Sequence, residues 1–166
     1  NGLNALVDYF QGNTQALYLA AAYCHEANVS VADYSVRLGE RPDLEVNSRK
    51  FSQAGVTAAV TQSLRHISDR DPAALALIAL CAFLDADDIP LVTLYDGAPF
   101  LPKRLSACVT EPESLNQTLS LLFRLGLIQF EQNSITMHPE VQFATRQLLG
   151  KDRFPRARSS FVTPSP

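Results

Sequence analysis

Apolar residues recur at helical spacing from the start of the chain: Leu3, Leu6, Val7 and Phe10 fall on one face of a helix that Gly12 breaks. The next stretch, "NTQALYLAAAYCHEA", is apolar around most of its circumference and rich in alanine. It predicts a nearly buried helix capped by Asn13 or Thr14. In "SVADYSVRLG", Ser30 is placed as the N-cap, with Asp33 at the third position as a variant capping box and Gly39 as the stop. From Glu40 to Gly55 no apolar period is sustained, and Pro and Gly both occur, so this segment reads as a connector and a plausible hinge.

A further helix is predicted from Val56 to Ile67. "RDPAALALIALCAFL" then opens another, with Asp71 as N-cap and Pro72 in the first helical position. Its Leu75, Leu77, Ile78, Leu80, Cys81, Phe83 and Leu84 describe a central core helix. After the acidic turn "DADD", Ile89 is extended and a helix starts at Pro90. "APFLPKRLSACVTEP" is rich in proline and predicts only loose structure. "PESLNQTLSLLFRLG" is amphipathic, with Leu115, Leu119, Leu122 and Phe123 inward and Gly126 as its end.

Two short extended runs, "LIQF" and "SITM", flank the polar turn "EQN" and predict a β-hairpin, with alternation through Leu127, Gln129, Ile135 and Met137. A helix from Glu140 to Leu149 closes the pattern, and "KDRFPRARSSFVTPSP" reads as an extended or disordered tail. Helices, a hairpin and a return helix in this order are the plan of a winged helix. The predicted fold is therefore mainly α: a helical subdomain over residues 1–50, a winged-helix domain with a small β-hairpin over 56–150, and a flexible tail over 151–166.

Composition narrows the class. With 166 residues, 46% apolar and 19% charged, the chain suffices for one domain or two small ones sharing a core. No run approaches the roughly 18 apolar residues a bilayer span needs, and the first residues lack the features of a signal peptide, so a cytoplasmic protein without membrane attachment is expected. Cys24, Cys81 and Cys108 are odd in number, form no CxxC pair and read as reduced core thiols. The net charge of −3 gives no general attraction to nucleic acid. The helix before the hairpin carries one arginine, too few cations for phosphate contacts, and so disfavours a winged-helix DNA-binding regulator, the alternative reading.

Candidate chemistry is sparse. His25 beside Cys24 has no second ligand pair at zinc spacing, and His66 lies near a helix end where a cation is mildly favoured. Asp85, Asp87 and Asp88 read as a solvated helix exit, so neither a metal ligand nor a catalytic residue is assigned. His138 is different. It sits in "SITMHPEVQFATRQLL" where a strand gives way to a helix, and helix starts gather anions. The plain alternative is a helix-start residue that caps its own turn.

Three stretches resemble a family. "GNTQALYLAAAYCHEANVSVADY" is similar to the helical segment that follows the nucleotide-binding core in NB-ARC proteins, the STAND-class signal-transduction ATPases. "AAVTQSLRHISDRDPAALALIALCAFLDADDIPLVTL" is similar to the start of that family's winged-helix subdomain. "SLLFRLGLIQFEQNSITMHPEVQFATRQLL" resembles its end, with Met137, His138 and Pro139 in place of the Met-His-Asp signature. The resemblance covers about residues 1–150 and implies that His138 contacts the β-phosphate of ADP, with Gly12, Thr14 and Ala16 marking the turn beneath the base. Thr14 stands where the family has a proline, and no GxxxxGK[ST] loop occurs.

The resemblance therefore implies the regulatory part of a nucleotide-dependent switch, not an enzyme by itself. Its cofactors, ADP or ATP with Mg, would be held only in the intact protein, and none is expected for this chain alone. Implied partners are a P-loop domain of the same protein, a tetratricopeptide or other repeat sensor, and further copies of the protein on activation.

Overall fold

The computed structural model describes residues 2–39 and 51–150. Residues 40–50, which hold most of the expected connector and hinge, and the expected tail over 151–166 lie outside the described residues. The first three helices are α1 (Gly2–Phe10), α2 (Thr14–Ala27) and α3 (Val31–Gly39). Two consecutive left-handed residues, Gln11 at φ 50° and Gly12 at φ 72°, end α1 and turn the chain. The Gly12 N–H donates to the Val7 carbonyl at 3.1 Å in that turn. Asn13 then caps α2, its Oδ1 accepting the Ala16 N–H at 2.8 Å. Ser30 and Asp33 form the expected box at the start of α3: the Asp33 N–H donates to Ser30 Oγ at 3.1 Å, and the Ser30 hydroxyl donates to Asp33 Oδ2 at 2.7 Å.

Helix α4 (Phe51–Ser68) is the axis of the molecule and packs against α1, α2, α5 and α9. Its seam with α2 is lined by small residues. A Cβ added at Gly55 would lie 3.0 Å from Phe10 Cδ1 and at ordinary contact, 3.6 Å, from Ala16 Cβ, so the missing side chain admits the close approach of the Phe10 ring of α1.

The region expected as the winged helix, residues 56–150, takes in most of α4 and continues in the order α5 (Pro72–Cys81), β1 (Ile89–Pro90), α6 (Leu91–Gly97), a 3-10 turn at Ala98–Phe100, α7 (Lys103–Thr110), α8 (Pro112–Arg124), β2 (Gln129–Glu131), β3 (Ser134–Thr136) and α9 (Pro139–Gly150). Its three strands are antiparallel in the order β1-β3-β2, with Ile89 opposite Ile135 and Phe130 opposite Ile135. Gln132 and Asn133, at φ 48° and 69°, supply the two-residue turn whose twist suits a hairpin.

The fold class matches the sequence expectation, and the differences are local. Phe51–Gly55, expected in the connector, is the first part of α4. The proline-rich stretch expected to be loose holds a 3-10 turn and all of α7, because Pro99 sits inside the 3-10 turn and Pro102 immediately before α7, where no N–H is required. The hairpin gains β1 as a third strand through the Leu91 N–H, which donates to the Asn133 carbonyl at 2.8 Å. Phe123 and Phe83, placed inward from sequence, are 52% and 68% exposed, and Leu3 and Val7 are exposed while Leu6 and Phe10 are buried. Gln129 faces outward, so the inward register of β2 runs through half-buried Phe130.

Buried polar groups join the elements. Asp71 Oδ1 accepts the N–H groups of Ala73 and Ala74 at 3.0 Å each, and its Oδ2 accepts the buried Thr118 hydroxyl from α8 at 2.9 Å. Thr118 Oγ1 in turn accepts from Cys108 Sγ of α7 at 3.4 Å. At the other end of α5, the Gln142 amide donates to the carbonyls of Leu84 at 2.7 Å and Cys81 at 3.3 Å, and Arg146 donates to Ala82 at 2.8 Å. Helix α9 thereby satisfies carbonyls that a helix end leaves open. The three cysteines are free and buried, and burial pushes the Cys81 thiol up to about 12.

A titratable cluster marks the α2–α4 seam. The ring of His66 meets Tyr23 edge-on at 5.5 Å, Tyr23 packs on Tyr34 at 5.3 Å, and Arg37 donates to the Tyr23 hydroxyl at 3.4 Å. Arg70 Nη1 lies 3.1 Å from His66 Nε2, and because a guanidinium only donates, that nitrogen must be an unprotonated acceptor. Burial, and then the charge of Arg70, hold His66 below the ordinary value of 6.5, against an opposing pull from Glu26. The unfolded chain therefore binds this proton at higher pH than the folded one. The stability is present above pH 6.5 and is lost as pH falls through the lower folded value. Urea midpoints measured from pH 7.5 to 5 are expected to drop across that window, and His66→Gln is expected to flatten this part of the drop. Equal slopes in both proteins would remove His66 as its source.

Candidate functional site

The sequence directs attention to the strand-to-helix junction after β3. Met137 is buried, and its N–H donates to the Ala86 carbonyl at 2.8 Å, pinning the junction to the turn after α5. His138 is exposed and begins α9: its carbonyl accepts the Gln142 N–H at 2.9 Å, and its Nδ1 accepts the Glu140 N–H at 3.3 Å. The imidazole thus does the work usually given to Ser or Asp at a helix N-cap. Accepting through Nδ1 requires that nitrogen to be bare, so in the neutral ring Nε2 carries the proton and is a donor on an exposed side chain. Pro139 follows at the first helical position, where it gives up no hydrogen bond.

The other three candidates have separate roles. Gly12 supplies the left-handed turn; a Cβ there would meet nothing within 4 Å, so its backbone conformation is what calls for glycine. Thr14 is exposed in the first turn of α2. Ala16 is fully buried and packs at the Gly55 seam, which makes it a core residue in this structure. The hydrogen bonds of His138 remain within its own turn and do not extend to Gly12, Thr14 or Ala16.

A polar cleft of about 280 Å³ lies on the outer face of the hairpin, lined by Asp88, Gln129, Glu131, Gln132, Ser134 and Thr136. Its two carboxylates and lack of a cation make it unsuited to a phosphate. Helix α8 presents Glu113, Asn116, Gln117, Ser120, Phe123 and Arg124 to solvent, and the arginine is committed to an ion pair with Glu26. From residue 72 to 149 there are four basic and eight acidic side chains, the wrong balance for duplex DNA. Among the described residues no group of three or more His, Cys, Asp or Glu side chains could hold a metal, and no helix is long and apolar enough to cross a membrane.

Sequence reasoning missed Gln142, Arg146, Thr118 and the Glu26–Arg124 pair, all of which act between distant segments. Gln142 and Thr118 do leave a trace, as polar residues in the buried faces of apolar helices. Fold and junction together define a winged helix fused to a layer of helices, with an exposed histidine capping its last helix. No family model, curated protein or solved structure matches the chain.

Proposed function

We propose that the chain is the regulatory part of an NB-ARC-type nucleotide-dependent switch in the cytoplasm. It would work with a P-loop domain of the same protein to close over ADP and to control assembly into oligomers. The observation that supports this reading most is the state of His138. Its Nδ1 is occupied by the backbone of α9, and its Nε2–H is left as an exposed donor at a helix N-terminus, where the macrodipole also favours an anion. A phosphate oxygen is the natural acceptor for that donor. The bound ADP, Mg and the phosphate cradle would come from the P-loop domain; this chain would contribute the histidine and the rigid platform that carries it.

The switch would operate because one nucleotide is contacted by His138 in the closed arrangement and the other is not, which is what a ligand needs in order to shift an equilibrium. Calorimetry on a longer protein that includes the P-loop domain tests this. ADP is expected to bind, and His138→Ala is expected to weaken it by about 1.5–3 kcal/mol, the range for a hydrogen bond to a charged group. If ADP does not bind, or binds both proteins equally, His138 is a helix cap only.

A further inference from the structure

Helix α8 ends in a tight turn that sets the direction of the hairpin. The Gly126 N–H donates to the Phe123 carbonyl at 2.9 Å and the Leu127 N–H to the Leu122 carbonyl at 3.0 Å, with Gly126 at φ 70°. Two residues later the chain enters β2. This root of the wing is gripped from outside the winged helix. The Tyr18 ring of α2 lies over Gly126, so close that a Cβ there would fall 2.6 Å from Tyr18 Cε1. Two turns further along α2, Glu26 receives Arg124 Nε at 2.7 Å and Nη2 at 3.4 Å through its two carboxylate oxygens. This ion pair joins positions 98 apart in sequence.

The two contacts differ in kind from the packing around the shared helix α4. There α4 meets α9 through buried side chains such as Leu64, Val141, Ala144 and Leu148, an apolar contact that does not come apart in small steps. The α2–α8 contact is a charged pair, Arg124 48% and Glu26 15% exposed, together with Tyr18, which is 52% exposed. Water reaches the Arg124 guanidinium and the outer face of Tyr18, so this contact opens to solvent more readily than a buried apolar seam. Glu26 is also near enough to His66 to act on that ring electrostatically, so the acceptor for Arg124 borders the Tyr23–His66–Arg70 cluster.

We propose that Tyr18 and Glu26 of α2 form a releasable clamp on the root of the wing, holding the turn from α8 into β2 in one setting and loosening that segment when the pair opens. Its regulatory meaning rests on the switch reading. The clamp is a property of this chain without nucleotide, so its failure and the failure of ADP binding are separate results.

Charge reversal in the 166-residue chain tests it, using Glu26→Arg, Arg124→Glu and the two combined, read by amide hydrogen exchange. Each single reversal is expected to speed exchange at residues 125–131 about fivefold to tenfold while leaving the α4 amides of Leu64 and Ile67 within about twofold, as local opening requires. The combined variant restores the pair with opposite polarity and is expected to return the wing root to within about twofold of the native rate. Glu26→Gln, which keeps the shape, provides the same comparison at about twofold to threefold. The clamp is overturned by unchanged exchange in the single variants, by acceleration spread equally over α4, or by a combined variant as fast as either single one.

Discussion

Replacing Asp71 with alanine is expected to lower the unfolding free energy by about 2–4 kcal/mol, since an N-cap substitution costs about 0.5–2 kcal/mol and stranding a buried hydroxyl about 1–3 kcal/mol more. One carboxylate serves two elements. Its Oδ1 satisfies the first N–H groups of α5, and its Oδ2 is the acceptor for Thr118, which is 2% exposed in the middle of α8. Alanine removes both functions at once, and the Thr118 hydroxyl keeps only the weak sulfur partner at Cys108. Asp71→Asn retains a cap and leaves an amide that can bond the hydroxyl, so a smaller loss of about 1 kcal/mol is expected. Denaturant midpoints with unchanged slopes check the difference. A loss below about 0.5 kcal/mol for the alanine variant would mean that α5 and α8 are held by apolar packing alone.

Asp71 also shows what a sequence can and cannot disclose. Its capping role is local: an acid immediately before Pro72 and an apolar run identifies a helix start without any knowledge of the fold. Its bond to Thr118 spans 47 positions and carries no local signature. The same division runs through the structure. Asn13, Ser30 with Asp33, Gly126 and the hairpin turn are legible because each solves a backbone problem within its own few residues. The orientations of Phe83 and Phe123 were not, because a period identifies a helix face but the neighbouring element decides how far burial extends around it. Phe51–Gly55 reads as connector for a related reason: Gly55 lowers local helix propensity, and the space its missing side chain leaves is filled by the Phe10 ring.

At the candidate site the division is sharper. The position of His138 at a helix start was legible from strand alternation ending at Pro139, and the structure places it there. Which imidazole nitrogen is free was not, because that follows from the Glu140 N–H, a contact set by the backbone path of the first turn of α9. Ala16 stands beside His138 only through the resemblance to a family; in this structure it is buried in the α2–α4 seam.

That seam leads to the second large effect. Leu64 is fully buried on α4, the helix shared by the N-terminal layer and the winged helix. Truncation to alanine should cost about 3–4 kcal/mol, within the range for deep Leu→Ala changes where surrounding helices cannot collapse into the space. For a chain of this size that corresponds to a melting temperature lower by roughly 6–16 °C. The shape of the transition matters as much as its midpoint. If α4 couples the two parts through buried contacts on α2 and α9, they must melt together, and Leu64→Ala should shift a single cooperative transition, with far-ultraviolet and near-ultraviolet signals coinciding. Two resolved transitions, only one of them displaced, would show that α4 belongs energetically to one part alone. In that case the α4–α9 seam itself would be the hinge, and the α2–α8 contact would be too weak to hold the parts in register. A single displaced transition leaves the Tyr18 and Glu26 contacts as the place where this structure can open without unfolding.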